Sequence, residues 1–99
     1  MDDELKKFTG DIRRSFRGAK IMLFGSRANG TARSDSDYDL IIISKYFEKI
    51  PILDRPYEIW MKSKANIAAD LLCYAPAEVN KIAKSSFILR EALKHAVTI

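Results

Sequence analysis

The sequence predicts an α/β domain in which a small mixed sheet of three or four strands is flanked by helices. Short apolar runs at residues 19–24, 38–44 and 67–74 have the length of buried strands. Around and between them, apolar residues recur at helical spacing, so helices and strands alternate along the chain. At 99 residues there is room for one hydrophobic core, and residues 1–99 are expected to form a single domain.

Each element has a local reason. Asp2, Asp3 and Glu4 crowd the start of the first helix, where negative charge suits the helix dipole. Leu5, Phe8, Ile12 and Phe16 then define one apolar face, Arg13, Arg14 and Arg17 fill the last turns, and Gly18 is the expected stop. After the strand at 19–24, a Gly25-Ser26 turn leads into about one helical turn at 27–30 and a polar loop at 31–36. Residues 38–44, with three consecutive isoleucines, are the clearest strand. Pro56 opens a helix over 57–64 with Ile59 and Trp60 turned inward. The third strand, 67–74, is apolar apart from Asp70, with Asn66 at its lip. Pro76 starts a helix to about residue 84, and Ser86 caps a last one carrying Leu89, Leu93 and Ala96.

Bulk properties narrow the function classes. Seventeen lysines and arginines against thirteen acids give a net charge of +4, an excess that favours anionic ligands but falls short of a nucleic-acid-binding signature. Arg13, Arg14 and Arg17 belong to a helix C-terminus, with no basic-aromatic platform beside them. The one cysteine, Cys73, excludes an internal disulfide and lies in an apolar run that suits an inert buried thiol. No apolar stretch approaches the ~18 residues of a membrane span and no signal peptide precedes the first helix, so a cytoplasmic protein without membrane contact is expected.

The chemistry concentrates between residues 24 and 39. A strand runs into Gly25-Ser26, and Asp37 and Asp39 open the next strand. Alternation along an extended chain puts Asp37 and Asp39 on one face, about 6.5–7 Å apart at Cα, with Tyr38 and Leu40 directed into the core. Two converging carboxylates repel unless a cation lies between them, and an all-oxygen site of this kind suits Mg²⁺. A bare D-x-D is more often a pair of solvated acids. Asp70 weighs against that, because a carboxylate in an otherwise buried strand needs a basic partner or a metal. Gly25 lets a ligand approach the backbone, Ser26 offers a hydroxyl, and amides of the following turn can receive a phosphate. There is no Walker loop, HExxH or clustered Cys/His; His95, the one histidine, is expected at the surface.

Gly25-Ser26, ten intervening residues and Asp37-x-Asp39 resemble the signature of the DNA polymerase β-like nucleotidyltransferase superfamily. The strings GSRANG and SDSDYDL are similar to its minimal branch, the small MNT-type nucleotidyltransferases of archaea and bacteria, and the resemblance covers essentially the whole chain. It implies transfer of a nucleoside monophosphate, AMP from ATP in the expected case, to a hydroxyl. Asp37 and Asp39 would ligate two Mg²⁺ ions, with Asp70 as third carboxylate and aid to acceptor deprotonation. Gly25 and Ser26 would hold the β- and γ-phosphates, with Arg27 and Ser36 as further contacts; Asn29 stands where the family often has a second arginine. Minimal members are often paired with a HEPN-domain protein in toxin–antitoxin systems, making a hydroxyl of such a partner the expected acceptor. An RNA 3′ end or a small molecule stays open, as does a homo-oligomer. The alternative is a binding module that sequesters its partner with little or no catalysis, which an exposed apolar patch around Tyr46, Phe47 and Trp60 would favour.

Overall fold

Four strands, β1 (Lys20–Phe24), β2 (Tyr38–Ile43), β3 (Ala69–Tyr74) and β4 (Val97–Thr98), form one sheet in the order β3-β2-β1-β4. The structure is a computed structural model that describes residues 2–31, 33 and 37–99. β1 runs antiparallel to β2 and to β4, while β2 and β3 are parallel, so the sheet is mixed as expected. The helices are α1 (Asp3–Ser15), α2 (Ser26–Asn29), α3 (Arg55–Lys62), α4 (Pro76–Ser85) and α5 (Phe87–His95). The connection at 45–54 is two short 3₁₀ turns, Lys45–Lys49 and Ile52–Asp54.

β2 is buried on both faces, and Leu40, Ile41 and Ile42 are completely inaccessible. Leu40 and Ile42 meet the apolar face of α1 (Leu5, Phe8, Ile12, Phe16) together with Ile59 of α3. Ile41 faces the other way, packing with Met22, Leu89 and Ala92 under α4 and α5. Trp60 is half-buried against the ring of Phe8, at a centroid distance of 5.3 Å. The Cys73 thiol is buried and pushed up to about 12 by that burial, which keeps it protonated and inert.

Polar contacts hold the ends of these elements. The Asp2 carboxylate caps α1 through the Glu4 amide (2.8 Å) and accepts from the Tyr38 hydroxyl (2.5 Å). The Tyr38 bond, with that of the Glu4 amide behind it, holds the Asp2 carboxyl below its ordinary range. The chain between α3 and β3 is pinned to α1: Asp11 accepts from the Ser63 hydroxyl (3.0 Å) and the Lys64 amide (3.2 Å), and Glu4 from the Asn66 amide (2.9 Å). Gly18, at φ +79°, turns the chain from α1 towards β1.

Arg55 ties three segments together. Its buried guanidinium makes two bonds to the Glu78 carboxylate (2.6 and 2.9 Å) and others to the carbonyls of Ile50 (2.9 Å) and Cys73 (3.2 Å). Glu78 also accepts the Ala75 amide at 2.8 Å, closing the first turn of α4.

Two expectations change. The expected three or four strands are four, but sequence reading assigns no segment to the fourth: β4 adds two residues beside β1, followed by a bond from the Ile99 amide to the Ile21 carbonyl (3.0 Å). The patch around Tyr46, Phe47 and Trp60 does not form, because Phe47 is completely buried against Phe16 and beneath Arg55, leaving only Tyr46 substantially exposed.

Glu78→Ala strands the Arg55 guanidinium in the interior and is expected to cost about 2–3 kcal/mol in urea denaturation at neutral pH. Arg55 holds the Glu78 carboxyl below its ordinary 4.5. The stabilisation is therefore complete above 4.5 and lost as pH falls through the lower folded-state value. The gap between variant and wild type should narrow in acid; a pH-independent gap would mean that packing, not charge pairing, is what Glu78 contributes.

Candidate active site

Register brings the candidate residues to one end of the sheet. Asp39 of β2 lies between Phe24, the last residue of β1, and Asp70, the second residue of β3. Tyr38 and Leu40 are committed to the α1 side, so alternation turns Asp39 to the opposite face, shared with Ile41 and with α4 and α5. Asp70 alternates in the same way with Ala69 and Leu71, which pack on the α1 side, and so shares the face of Asp39. Asp37 is exposed, one residue ahead of β2.

Gly25 has φ +71° and ψ −154°, a conformation essentially restricted to glycine. The Asp39 carboxylate lies against it: a Cβ on Gly25 would come within 2.2 Å of Asp39 Oδ2 and 3.0 Å of its Cγ. A side chain at position 25 and the present position of Asp39 exclude one another. The Gly25 carbonyl accepts the amides of Ala28 (3.1 Å) and Asn29 (3.2 Å), and Gly30, at φ +80°, ends this single turn.

The carboxylates feel one another. Partial burial, then the charges of Asp70 and Asp37, push the Asp39 carboxyl above its ordinary range. Among the described residues no three acidic, histidine or cysteine side chains are gathered into a ready-made metal site. The donor set is nonetheless all oxygen and mutually repulsive, which suits a hard divalent cation that brings other ligands of its own.

Asp70 departs from expectation in one respect. It is exposed, not buried, because β3 pairs with a neighbour on one side only and Asp70 stands near its open start. The burial argument for a partner or metal at Asp70 therefore falls away, and its position beside Asp39 is what marks it. The Arg27 guanidinium lies over the Tyr38 ring, 4.4 Å from the centroid and on the α1 side of the sheet. To touch a phosphate near Asp39 it must leave that ring. Ser36 lies outside the described residues. His95 is exposed, as expected, but with Glu91, Phe87 and Ile88 of α5 it lines a cavity of about 600 Å³ against Phe24, Gly25, Ala28 and Asn29. Sequence reading missed this cavity: nothing in the spacing of α5 shows that its exposed residues face α2.

The sequence matches the nucleotidyltransferase domain family over residues 5–98, and the chain belongs to that family. Its members transfer nucleotidyl groups from nucleoside triphosphates, and their domains generally use divalent metal ions. No curated protein shows significant similarity to the sequence. In three dimensions the chain is similar to a 1.40 Å crystal structure of a protein from Sulfolobus solfataricus assigned as a nucleotidyltransferase. The TM-score is 0.68 at 21% identity, over 96% of this chain and 75% of that one, a likeness of fold. Among the described residues no helix is long and apolar enough to cross a membrane.

Gly25→Ala should cost about 1–3 kcal/mol, since it forces both an unfavourable backbone conformation and a displacement of Asp39. Thermal denaturation is the check, and a variant as stable as wild type would show that the turn relaxes freely around a new Cβ.

Proposed function

We propose that the protein transfers a nucleoside monophosphate, AMP from ATP in the favoured case, to a hydroxyl acceptor. The supporting observation is the alignment of Gly25, Asp39 and Asp70 at one end of the sheet, with the Asp39 carboxylate in contact with the glycine of the Gly-Ser turn. Asp37, Asp39 and Asp70 are the residues that would hold Mg²⁺, two ions by resemblance to the polymerase β-like superfamily. Bound there, the metal neutralises charge on the triphosphate and on the departing pyrophosphate. Gly25 and Ser26 would hold the β- and γ-phosphates through the backbone amides of their turn, and the Ser26 hydroxyl would donate to a phosphate oxygen. Arg27 joins them once it swings away from Tyr38, and Ser36 completes the set. Asp70, exposed at the start of an edge strand, is free to accept the proton of an incoming hydroxyl. Protein groups thus supply position and charge, which is most of what phosphoryl transfer asks of an enzyme.

For the acceptor, the resemblance to minimal nucleotidyltransferases favours a hydroxyl of a HEPN-type partner protein in the cytoplasm over an RNA 3′ end or a small molecule. A second reading, sequestration of a partner without catalysis, has one observation behind it. Leu53, in the 3₁₀ turn that precedes α3, and Tyr57 and Met61 of α3 recur at four-residue spacing and are exposed by 90%, 64% and 63%.

Purified protein with Mg²⁺ and cell extract should transfer label from ATP marked at the α-phosphate and none from the γ-phosphate. Asp37→Asn and Asp39→Asn should each abolish transfer while keeping the fold, with Asp39→Asn no less stable than wild type because it removes a repelled charge. Activity surviving in either variant would overturn the carboxylate assignment. Variants that lose transfer but still bind the labelled acceptor would separate catalysis from sequestration.

A further inference from the structure

We infer that the cavity between α2 and α5 is the seat of the donor's nucleobase, an inference that rests on the nucleotidyl-transfer reading above. The cavity, about 600 Å³, falls within the ~300–1,000 Å³ typical of small-molecule sites. It adjoins Asp39 without including it: its lining holds Phe24, the register partner of Asp39, and Gly25, which touches the Asp39 carboxylate. A nucleotide whose phosphates lie at Gly25 has this cavity beside it on the same face of the sheet.

The walls suit a flat heteroaromatic ring. Phe24 and Phe87 offer aromatic surface, while Ala28 and Ala92 leave the width of a slot between the helices. Phe87 and Ile88 are 66% and 71% exposed, an unusual state for large apolar side chains that a stacked base would relieve. The rim carries both hydrogen-bonding senses. The Asn29 side-chain oxygen accepts from the Thr31 amide (3.1 Å) and hydroxyl (2.6 Å), which leaves the amide nitrogen to donate outward. Glu91 supplies an acceptor, held at the rim by Lys94 at 3.3 Å. A base edge that pairs a ring nitrogen with an exocyclic amino group meets a donor and an acceptor there.

The test is calorimetric titration of Mg·ATP and, separately, Mg·tripolyphosphate, which has the phosphates and no base. The protein is used as wild type, Phe87→Ala and Ile88→Asn; both positions are exposed, so the fold is expected to survive, and thermal melting checks it. The expected result is tighter wild-type binding of ATP than of tripolyphosphate. Phe87→Ala should then lose roughly tenfold or more in ATP affinity, the size of a lost base–aromatic contact, and Ile88→Asn should weaken ATP binding by loss of apolar contact, with tripolyphosphate affinity unchanged in both. Equal affinity of wild type for the two ligands, unaltered ATP binding in both variants, or a parallel loss of both ligands would each overturn the base site while leaving nucleotidyl transfer standing. A wild-type protein that binds neither ligand overturns that reading and this one with it.

Discussion

The two-residue alternation of β2 is the constraint on which the rest of this structure depends. Because the strand is covered on both faces, each of its residues is committed to one helical layer or the other, and Leu40, Ile41 and Ile42 leave no freedom to slip register. A shift by one residue would drive Asp39 into the layer under α1 and turn Leu40 to the face of α4 and α5. The position of the acidic pair is thus fixed by the isoleucines that follow it, and the chemistry of the strand's start is set by the hydrophobic packing of its middle.

Around that strand, the polar contacts act on the approaches to the site more than on the site itself. Glu4 and Asp11 of α1 hold residues 63–66, and that segment delivers Asp70 to its place beside Asp39. Arg55 clamps the far end of β3 through the Cys73 carbonyl and fixes α4 through Glu78. β3 is consequently anchored at both ends although it has only one strand neighbour. At the opening end, the carboxylates of Asp37, Asp39 and Asp70 are left to repel one another, and the framework tolerates the repulsion because both strands are held elsewhere. The backbone at Gly25 belongs to the same arrangement, since the glycine adopts without strain a conformation that other residues avoid and Asp39 thereby gains its place.

Much of this was legible in the sequence. The isoleucine run announced β2, the acidic start and glycine stop framed α1, and Pro76 and Ser86 marked α4 and α5. Gly25 and Asp39 stand out as candidates by residue type and spacing and Asp70 by its strand context, and the register places all three at one end of the sheet. The failures have physical causes. β4 is two residues long, too short for any periodicity, and owes its existence to β1 having a free edge. The apolar run holding Asp70 read as a buried strand, but burial depends on sheet position, and at the open start of this edge strand Asp70 stays in water while Ala69 packs inward. Tyr46 and Phe47 are neighbours of similar type, and which one enters the core is decided by the 3₁₀ turn at Lys45–Lys49. The α2–α5 cavity is a tertiary juxtaposition with no local signature at all.

The Cys73 thiol, buried in β3 and protonated far above neutral pH, leaves the surface without a reactive thiol. A single cysteine introduced anywhere on the outside would be the one nucleophilic sulfur a maleimide could find, in the otherwise unaltered native sequence. The protein therefore comes prepared for site-specific fluorescence or spin labelling, and the opening and filling of its surfaces can be watched one position at a time.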